Sequence, residues 1–470
     1  MRKPLIIASL LWISACGDPD PTSPPPDDLP DAGQPDASGE PEAPSELFDE
    51  LSMPAEPTLS ASDFEGAQSC ARCHPDHVSQ WRSSAHAYAM VDPVYRALVK
   101  VRQADLDGRE DRFCLQCHSA IATRGGEITP GFTFEGLSEI ALEGVTCEAC
   151  HKISSVERPY NAGHTLDPRG PMRGPLSDPA PTDAHESASS PLFQGALLCG
   201  SCHDVIESDG LHLERPYAEW LESEAAEQEQ PCQRCHMPTR AGKAATDGPD
   251  RPVIHEHRFV GVDLPLVEGF IADPDELETV RAQIATLLGG AAELRLAASP
   301  ATRVGGQVDL QATITNRISA HSLPTGTTFI RQLWLEITVT DAQGAVIYQT
   351  GHLDEGGDLR DHFSSTDPYG DPDLITLGSS LVNAEGSPEI FSWRATEHTS
   401  TALSPRYSRT YTLFIPTTQA TLGPLQIEAR LRFRSHPPYL LRALGLADLV
   451  DQVPIHDIAR ASLSATLLPE

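Results

Sequence analysis

The chain carries five copies of one short pattern of cysteine and histidine. In each copy two residues separate a pair of cysteines, and a histidine directly follows the second cysteine. This C-x-x-C-H spacing is the attachment signature of c-type haem, in which both thiols add to porphyrin vinyl groups and the histidine binds the iron. We therefore predict five covalently bound haem c groups. Their cysteines are Cys70 and Cys73, Cys114 and Cys117, Cys147 and Cys150, Cys199 and Cys202, and Cys232 and Cys235, and their proximal ligands are His74, His118, His151, His203 and His236.

Two other uses of paired cysteines account for less of the pattern. Zinc ribbons usually take two C-x-x-C pairs for each metal, so five pairs would leave one over. A disulfide framework suits small secreted domains. Neither chemistry gives a reason for a histidine after every second cysteine, so haem attachment explains more of the sequence than either of them.

The eleventh cysteine, Cys16, ends an N-terminus that resembles a secretory leader. Residues 1–3 include two basic side chains, Leu5–Ile13 is mainly apolar, and two small residues precede the cysteine. A basic start, an apolar run and a small-residue end describe a signal peptide, and Ile-Ser-Ala-Cys resembles the bacterial lipobox. We predict a lipoprotein signal peptide over residues 1–16 with lipidation at Cys16. A plain signal peptide with a chance cysteine is the alternative.

The composition after the leader indicates a tether and an acidic protein. Residues 17–62 are rich in Pro, Asp, Glu, Ser and Ala, and no Lys or Arg occurs between Lys3 and Arg72. Such a segment has too little apolar surface to fold by itself, so we predict a disordered acidic tether. The formal net charge of the chain is −33. That charge argues against binding nucleic acid through phosphate neutralisation and would steer cationic partners.

The remaining chain falls into two halves, which together predict an α+β fold. All motif cysteines lie between Cys70 and Cys235, among short helical stretches punctuated by Pro and Gly. We predict a mainly helical and irregular pentahaem domain at 63–270, a connecting helix at 271–290 and an antiparallel β-sandwich at 291–470. The helical predictions are 76–90, 92–103, 217–228, 275–288 and 438–450. The strand predictions are 293–298, 307–315, 332–340, 346–350, 407–415 and 425–433, with a long loop at 354–380.

The histidines outside the motifs could supply the second axial ligands. The chain has eighteen histidines, of which the motifs use five. His86 lies twelve residues after His74, and a helix between them would carry it about 18 Å away, towards another haem. His164 and His185 lie in a Pro- and Gly-rich stretch that could wrap around a haem. His255 and His257 point to the same side of an extended segment, so either could bind iron, and we favour His257.

Several longer stretches resemble a known group of proteins. "CARCHPDHVSQWRSSAHAYAM", "GVTCEACHKI", "CGSCHDV" with "PYAEWLES", and "CQRCHMP" with "HEHRFVG" are similar to multihaem cytochromes c related to hydroxylamine oxidoreductase and pentahaem nitrite reductase. The "HSLPTG" loop and the "LWLEITVTDAQG" strand resemble the C-terminal β domain of exported members. The resemblance implies closely packed, mostly bis-histidine haems. It also implies that His86, His257 and His321 are distal ligands.

The chain departs from both enzyme groups. Those nitrite reductases have a lysine in place of one proximal histidine, and the hydroxylamine oxidases have more haems and a cross-linked tyrosine. All five motifs here end in histidine, so the catalytic chemistry of these relatives is not carried over. We predict an exported bacterial lipoprotein on the periplasmic or outer-surface side of a cell-envelope membrane. It would carry electrons to or from redox proteins of the envelope. The alternative is a reductase of a small nitrogen or sulfur oxyanion with one open haem site, and the β half could also dock a partner.

Overall fold

The structure is a computed structural model that describes residues 56–207, 210–299, 301–418, 420 and 422–469. The predicted signal peptide, Cys16 and the tether up to residue 55 lie outside the described residues. The fold is α+β, as predicted: helices dominate the first half and antiparallel sheets dominate the second. None of the helices in the described part of the chain is long and apolar enough to cross a membrane.

The helices of the first half are short, and each motif lies in or beside one of them. Within the described ranges the α-helices are α1 (Ala67–Cys70), α2 (Pro75–Arg82), α3 (Ala85–Tyr88), α4 (Pro93–Asp105), α5 (Asp111–His118), α6 (Ala120–Arg124), α7 (Glu139–Leu142), α8 (Cys147–His151), α9 (Leu197–Gly200), α10 (Pro216–Leu221), α11 (Glu224–Glu227), α12 (Gln233–His236), α13 (Pro274–Gly289) and α14 (Pro438–Ala443). Short 3₁₀ helices occupy Ala61–Asp63, Phe134–Gly136, Pro191–Gln194, Thr328–Ile330, Ser392–Arg394 and Ala447–Gln452.

Strands form two-stranded ribbons in the first half and larger sheets in the second. The ribbon strands are β1 (Ile153–Val156), β2 (His164–Leu166), β3 (Met172–Gly174), β4 (Ser187–Ser189), β5 (Val205–Ile206), β6 (His212–Glu214), β7 (Thr239–Lys243) and β8 (Asp250–His255). The later strands are β9 (Ala292–Ala298), β10 (Ala301–Arg303), β11 (Gln307–Asn316), β12 (Gln332–Thr340), β13 (Val346–Thr350), β14 (Ile375–Leu377), β15 (Ser379–Val382), β16 (Pro388–Glu389), β17 (Glu397–Ser400), β18 (Ser408–Pro416), β19 (Gly423–Arg434) and β20 (His456–Leu468).

Two sheets of the second half enclose its main apolar core. One sheet has the order β10-β20-β19-β12-β13, with β14 also paired to β12, and the other has the order β18-β11-β9. Alternate residues of β11 and β12, including Leu310, Ile314, Leu335 and Ile337, are fully buried between them. The alternation in β11 is what one buried face of an antiparallel sheet requires, whereas β12 is buried on both faces from Gln332 to Ile337. The connecting helix α13 packs Ile284 and its neighbours into the same core.

The first half has several small apolar clusters in place of one large core. One cluster surrounds Met90, Leu115 and Phe134, and another surrounds Phe64, Ile121 and Ile153. Each lies next to motif helices. We expect this arrangement where porphyrins supply much of the apolar interior.

Three predicted helices are shorter than the sequence suggested. The helix predicted at 76–90 stops at Arg82, because the Ser83 and Ser84 hydroxyls donate to the carbonyls of Gln80 and Trp81 at its end. Serine competes in this way with the helical backbone pattern. The helix predicted at 217–228 is divided between α10 and α11, and its Ser223 hydroxyl likewise donates to a carbonyl of the preceding turn. The one predicted at 438–450 ends at residue 443, before Gly445 with φ of 74°.

Residues 56–62 correct the boundary of the predicted tether. They are ordered against the haem half: the Leu59 amide donates to the Arg124 carbonyl over 3.2 Å, and Ala61 is buried. Ser60 caps the 3₁₀ turn with its side chain. An apolar Leu and a capping Ser interrupt the acidic composition here. The other domain boundaries remain predictions.

The two halves share a buried interface. Val94 of α4 and Leu266 pack with Ile330, Leu440 and Leu441 from the second half. Beside this cluster, Arg331 forms a two-point ion pair with Asp263, with 2.8 Å between Nη2 and Oδ2. A second contact joins the Asp105 carboxylate to the Trp393 indole and the Arg394 guanidinium. The halves are therefore held together by apolar and ionic contacts at once.

Candidate metal centres

The local geometry of the motifs suits haem attachment. In the motifs that start at Cys70, Cys199 and Cys232, the histidine amide donates to the carbonyl of the first cysteine, at 2.8, 2.9 and 3.0 Å. The motifs at Cys114 and Cys147 lie within α5 and α8. Each motif is therefore one helical turn. Positions i, i+3 and i+4 share one face of a helix, so both thiols and the imidazole are presented together.

Four of the five motif histidines lie opposite a second histidine from a distant part of the chain. The ring pairs and centroid distances are His74–His185 at 6.3 Å, His203–His86 at 6.2 Å, His151–His257 at 6.2 Å and His236–His321 at 6.4 Å. The angles between the ring planes are 20°, 48°, 19° and 27° in the same order. Every pair combines one motif histidine with one histidine outside the motifs.

This spacing leaves room for one metal ion between the two rings. A metal–imidazole nitrogen bond is roughly 2.0 Å long in proteins, and the ring centre lies about 1 Å beyond the nitrogen. Two imidazoles on opposite sides of one metal therefore have centres about 6 Å apart. The residues present thus fit a haem iron with two axial histidines.

Hydrogen bonds to backbone carbonyls orient the imidazoles. A carbonyl only accepts, so Nδ1 must carry the proton, and this leaves Nε2 free for a metal. The motif rings of His74, His151 and His236 donate to the carbonyls of Ala244, Arg173 and Val260 at 2.7, 2.6 and 2.6 Å. The opposed rings of His185, His257 and His321 donate to the carbonyls of Glu186, His255 and Ser322 at 3.2, 3.1 and 2.9 Å.

Burial keeps His86 and His321 neutral. It lowers the pKa of His86 to about 4, and the facing His203 lowers it further. Burial also lowers the pKa of His321 to about 4, against the opposing effect of its hydrogen bond to the Ser322 carbonyl. Neutral imidazole is the form that binds a metal. Both rings are thus ready to bind at neutral pH.

His118, the histidine of the second motif, has a different environment. The His118 ring stacks face to face on Tyr95, with centroids 3.9 Å apart and planes 8° apart. Among the ring contacts of the described residues, His118 has no facing histidine. Burial lowers its pKa to about 4. The second motif therefore has a candidate proximal ligand, His118, with Tyr95 packed on one side of it. Among the described residues it lacks the facing histidine that each of the other four motifs has.

The structure does not place His164 opposite a motif histidine. Its position is set by the β1–β2 ribbon, where it pairs with Val156, and by Arg124, whose guanidinium donates to the His164 carbonyl over 2.5 Å. Its Nδ1 lies 3.2 Å from the Ser201 hydroxyl, and its buried Nε2 has no hydrogen-bond partner. Ribbon pairing fixes the backbone at His164, and its assignment as a distal ligand stays a prediction.

His86, His185, His257 and His321 each lie opposite a motif histidine, and their role as distal ligands stays a prediction. His257 faces His151, whereas His255 donates from β8 to the Met237 carbonyl over 3.0 Å. His77 is partly buried, and the centroid of its ring lies 4.5 Å from that of His257. The position of His77 one turn after a motif histidine was the signal from which its place beside the site could have been predicted. Nothing in the local pattern indicated that Tyr95 stacks on His118 or that Glu219 binds the loop of His321.

The loop of His321 is held by the first half. Glu219 on α10 accepts hydrogen bonds from the Ser322 amide at 3.1 Å and the Thr325 hydroxyl at 2.6 Å. The Asn316 side-chain amide donates to the His321 carbonyl at 3.0 Å. The imidazole is therefore positioned across the interface by groups on both sides of it.

Contacts between cysteines of different motifs show which sites are neighbours. The thiols of Cys70 and Cys147 are in hydrogen-bonding contact, as are those of Cys199 and Cys232. The Cys117 thiol lies 3.8 Å from the Cys202 carbonyl oxygen. The first site thus adjoins the third, and the fourth adjoins both the second and the fifth.

Comparisons with known proteins support the chemistry of the motifs. The family described as cytochrome c554 and c-prime matches residues 69–152, which include the first three motifs. A penta-heme cytochrome c552 from Thermochromatium tepidum matches with a TM-score of 0.59 and 20% identity, covering 86% of this chain and 99% of that chain. A CARDB domain from Pyrococcus furiosus has 8% identity and covers 38% of this chain and 86% of that chain, but its TM-score of 0.17 supports no argument. No curated protein matches.

The motif geometry and these matches together define a class of protein. The chain is a multihaem c-type cytochrome, and its fold is that of a multihaem cytochrome. When bound, haem supplies a one-electron couple whose potential depends on axial ligands, hydrogen bonding and burial.

Proposed function

We propose that the chain is an exported, lipid-anchored cytochrome with five covalently bound haem c groups, and that it moves electrons. The single observation that carries this proposal is the set of four opposed imidazole pairs. An iron with two strongly bound histidines has no free position for a substrate, so it suits electron transfer. The pairs support His185, His86, His257 and His321 as distal ligands of the first, fourth, third and fifth haems.

The chain's own residues would set the conditions for electron transfer. The carbonyl acceptors at Nδ1 fix the ring orientation and increase the basicity of the ligating nitrogen. The contacts between motif cysteines support close spacing of the haems, in a connected group. The net charge of −33 would favour cationic redox partners of the cell envelope. The β half could present a surface to such a partner.

The haem count and spin states test this proposal directly. We expect the intact mass of the protein to include five haems that remain after acid–acetone extraction, because ten cysteines lie in five identical frames. The EPR spectrum of the oxidised protein should show at least four low-spin haems. Fewer than five haems by mass would contradict the count, and fewer than four low-spin signals would contradict the ligand pairs.

A second candidate function rests on His118. Its haem is the one for which the described residues offer no facing histidine, so its sixth position would be open to water or a small molecule. This favours a reductase of a small nitrogen or sulfur oxyanion as the alternative. Turnover with nitrite, hydroxylamine or tetrathionate at tens per second, within the usual enzymatic range, would favour it. Negligible turnover with all three, together with fast reduction by small donors, would favour electron transfer alone.

Membrane attachment has its own test. Cys16→Ala should release the protein from membranes into the soluble exported fraction, because a lipid on Cys16 is the anchor we propose. Fractionation of cells followed by haem staining measures this. Cys16→Ala protein that still sediments with membranes would contradict the anchor without affecting the haem assignments.

A further inference from the structure

We infer that Phe259 is a positioning residue that sets the imidazole orientations of two haems at once, at the junction between two groups of sites. This inference rests on the distal ligands assigned above. The junction matters because the cysteine contacts connect the first site to the third, and the second and fifth to the fourth. The two groups meet where Cys150 of the third motif interacts electrostatically with Cys199 and Cys202 of the fourth.

The Phe259 ring lies between the distal candidates of those two sites. Its centroid is 4.4 Å from that of His86 at an interplanar angle of 60°. It is also 5.5 Å from the ring of His257 at 78°. Both are edge-to-face contacts, the geometry that aromatic rings prefer. A rotation of either imidazole about its metal bond would therefore meet the phenyl ring.

The backbone at Phe259 supports a role for this geometry. Its φ is 47°, in the left-handed region. A bulky residue is an outlier there, and such conformations persist only where the surroundings impose them. Strained residues of this kind concentrate at functional sites. A glycine would adopt this backbone more easily, so the phenyl ring stands at a position unfavourable for its own backbone.

Neighbouring contacts show what holds Phe259 in place. The His257 amide donates to the Gln80 side chain of α2 over 2.9 Å, and Arg258 pairs with Glu276 of α13. On the other side, the Val260 amide donates to the His236 carbonyl over 2.9 Å, and the Val260 carbonyl accepts from the His236 ring. One short segment therefore contacts ligand candidates of the third, fourth and fifth haems, with Phe259 at its centre.

Phe259→Ala tests the inference by EPR of the oxidised protein. The g values of a low-spin haem depend on the relative orientation of its two imidazole planes. We expect two low-spin signals to shift, those of the third and fourth haems, while the others and the haem count stay unchanged. Phe193→Ala is the matched control, because Phe193 contacts a single motif histidine, His151, at 5.2 Å. It should shift one signal at most. A Phe259→Ala spectrum with no shifted signal, or with one only, would overturn the inference.

Two further variants separate the ring from the backbone. Phe259→Gly should shift the same two signals but unfold at a higher denaturant concentration than Phe259→Ala, because only glycine relieves the left-handed φ. Equal midpoints would overturn the part of the inference that concerns strain. Should Phe259→Ala lose haem, Phe259→Leu retains the apolar volume and is read in the same way.

The ligand assignments are tested separately. His86→Ala and His257→Ala should each convert a different haem to high spin. If they do and Phe259→Ala changes nothing, the positioning role fails and the proposed function stands. If neither converts a haem, the ligand assignments fail whatever Phe259 does.

Discussion

His321→Ala should convert one low-spin haem to high spin and raise its reduction potential, while the protein keeps five haems. His321 faces His236 with ring centroids 6.4 Å apart, and among the ring contacts of the described residues no other histidine faces His236. Removing the imidazole leaves the iron of the fifth haem with its proximal ligand alone or with water, which favours high spin and lowers the stability of the ferric state. On the proposed assignment Cys232 and Cys235 would hold this haem covalently, so the haem count should not fall. EPR and a spectroelectrochemical titration measure both effects.

His352→Ala is the matched control for this variant. His352 lies in the same half and contacts the Thr338 hydroxyl over 2.9 Å, far from the motif sequences in the chain. It should leave all low-spin signals unchanged. An unaltered EPR spectrum in His321→Ala would remove His321 from the ligand set. We also expect the linker near residues 272–290 to become more sensitive to protease, but modestly, since Glu219 and the interface around Leu440 still hold the halves together.

Arg331→Ala should destabilise the protein strongly. The Arg331 side chain is 15% exposed and pairs with Asp263 across the two halves. Removing one partner of a buried ion pair leaves an uncompensated charge, and we expect a loss of about 3 kcal/mol in the free energy of unfolding, the lower end of the usual cost. The lower end applies because Asp263 is 29% exposed. Denaturant unfolding followed by circular dichroism measures the loss.

The loss of stability caused by Arg331→Ala should increase as the pH rises. In the native protein burial raises the pKa of Asp263, but Arg331 outweighs that effect and holds this pKa below its usual value. Burial raises the pKa of nearby Asp92 to about 6 and of Glu214 to about 7. Without Arg331 all three carboxyls should take up protons more readily. A raised folded-state pKa contributes stability at low pH that is lost as the pH rises.

The loss in the free energy of unfolding caused by Arg331→Ala should therefore be larger at pH 7.5 than at pH 5. Arg295→Ala is the control, because Arg295 is 74% exposed in its pair with Glu293 and such pairs contribute about 0–1 kcal/mol. A deficit for Arg331→Ala no larger than that of Arg295→Ala would show that the interface tolerates the unpaired carboxylates.

Six strands of the second half and the long helix were predictable because their patterns are strong. The limits predicted for β12 match the structure, and α13 differs by one residue at each end, since alternation and capping residues are both clear there. The last described strand, β20, was missed. It reads His-Asp-Ile-Ala-Arg-Ala-Ser-Leu-Ser-Ala-Thr-Leu-Leu, and small Ala and Ser residues give little contrast between its two faces.

The candidate haem ligands also divide into those that the sequence predicts directly and those that depend on the fold. The motif histidines are fixed by spacing alone, so the sequence assigns them directly. A distal ligand depends on which remote segment the fold brings opposite, and this is why His164 and His185 could not be told apart from composition. His164 is fixed in a ribbon, whereas His185 follows a Pro-rich segment and reaches the ring of His74. The stacking of Tyr95 on His118 is a tertiary contact and leaves no mark on the local pattern.

The pairing of β20 between β10 and β19 has a consequence for the order in which the protein matures. Its residues, His456–Leu468, are the last of the described strands to be synthesised, and the six-stranded sheet cannot close before they are made. Four of the proposed haem sites take all their candidate ligands from residues at or before His257, so they can be completed while the β half is still unfolded. The candidate distal ligand of the fifth, His321, lies in the loop that leads to β12 of that sheet. We therefore expect maturation in two stages, with a transient high-spin intermediate at the fifth haem.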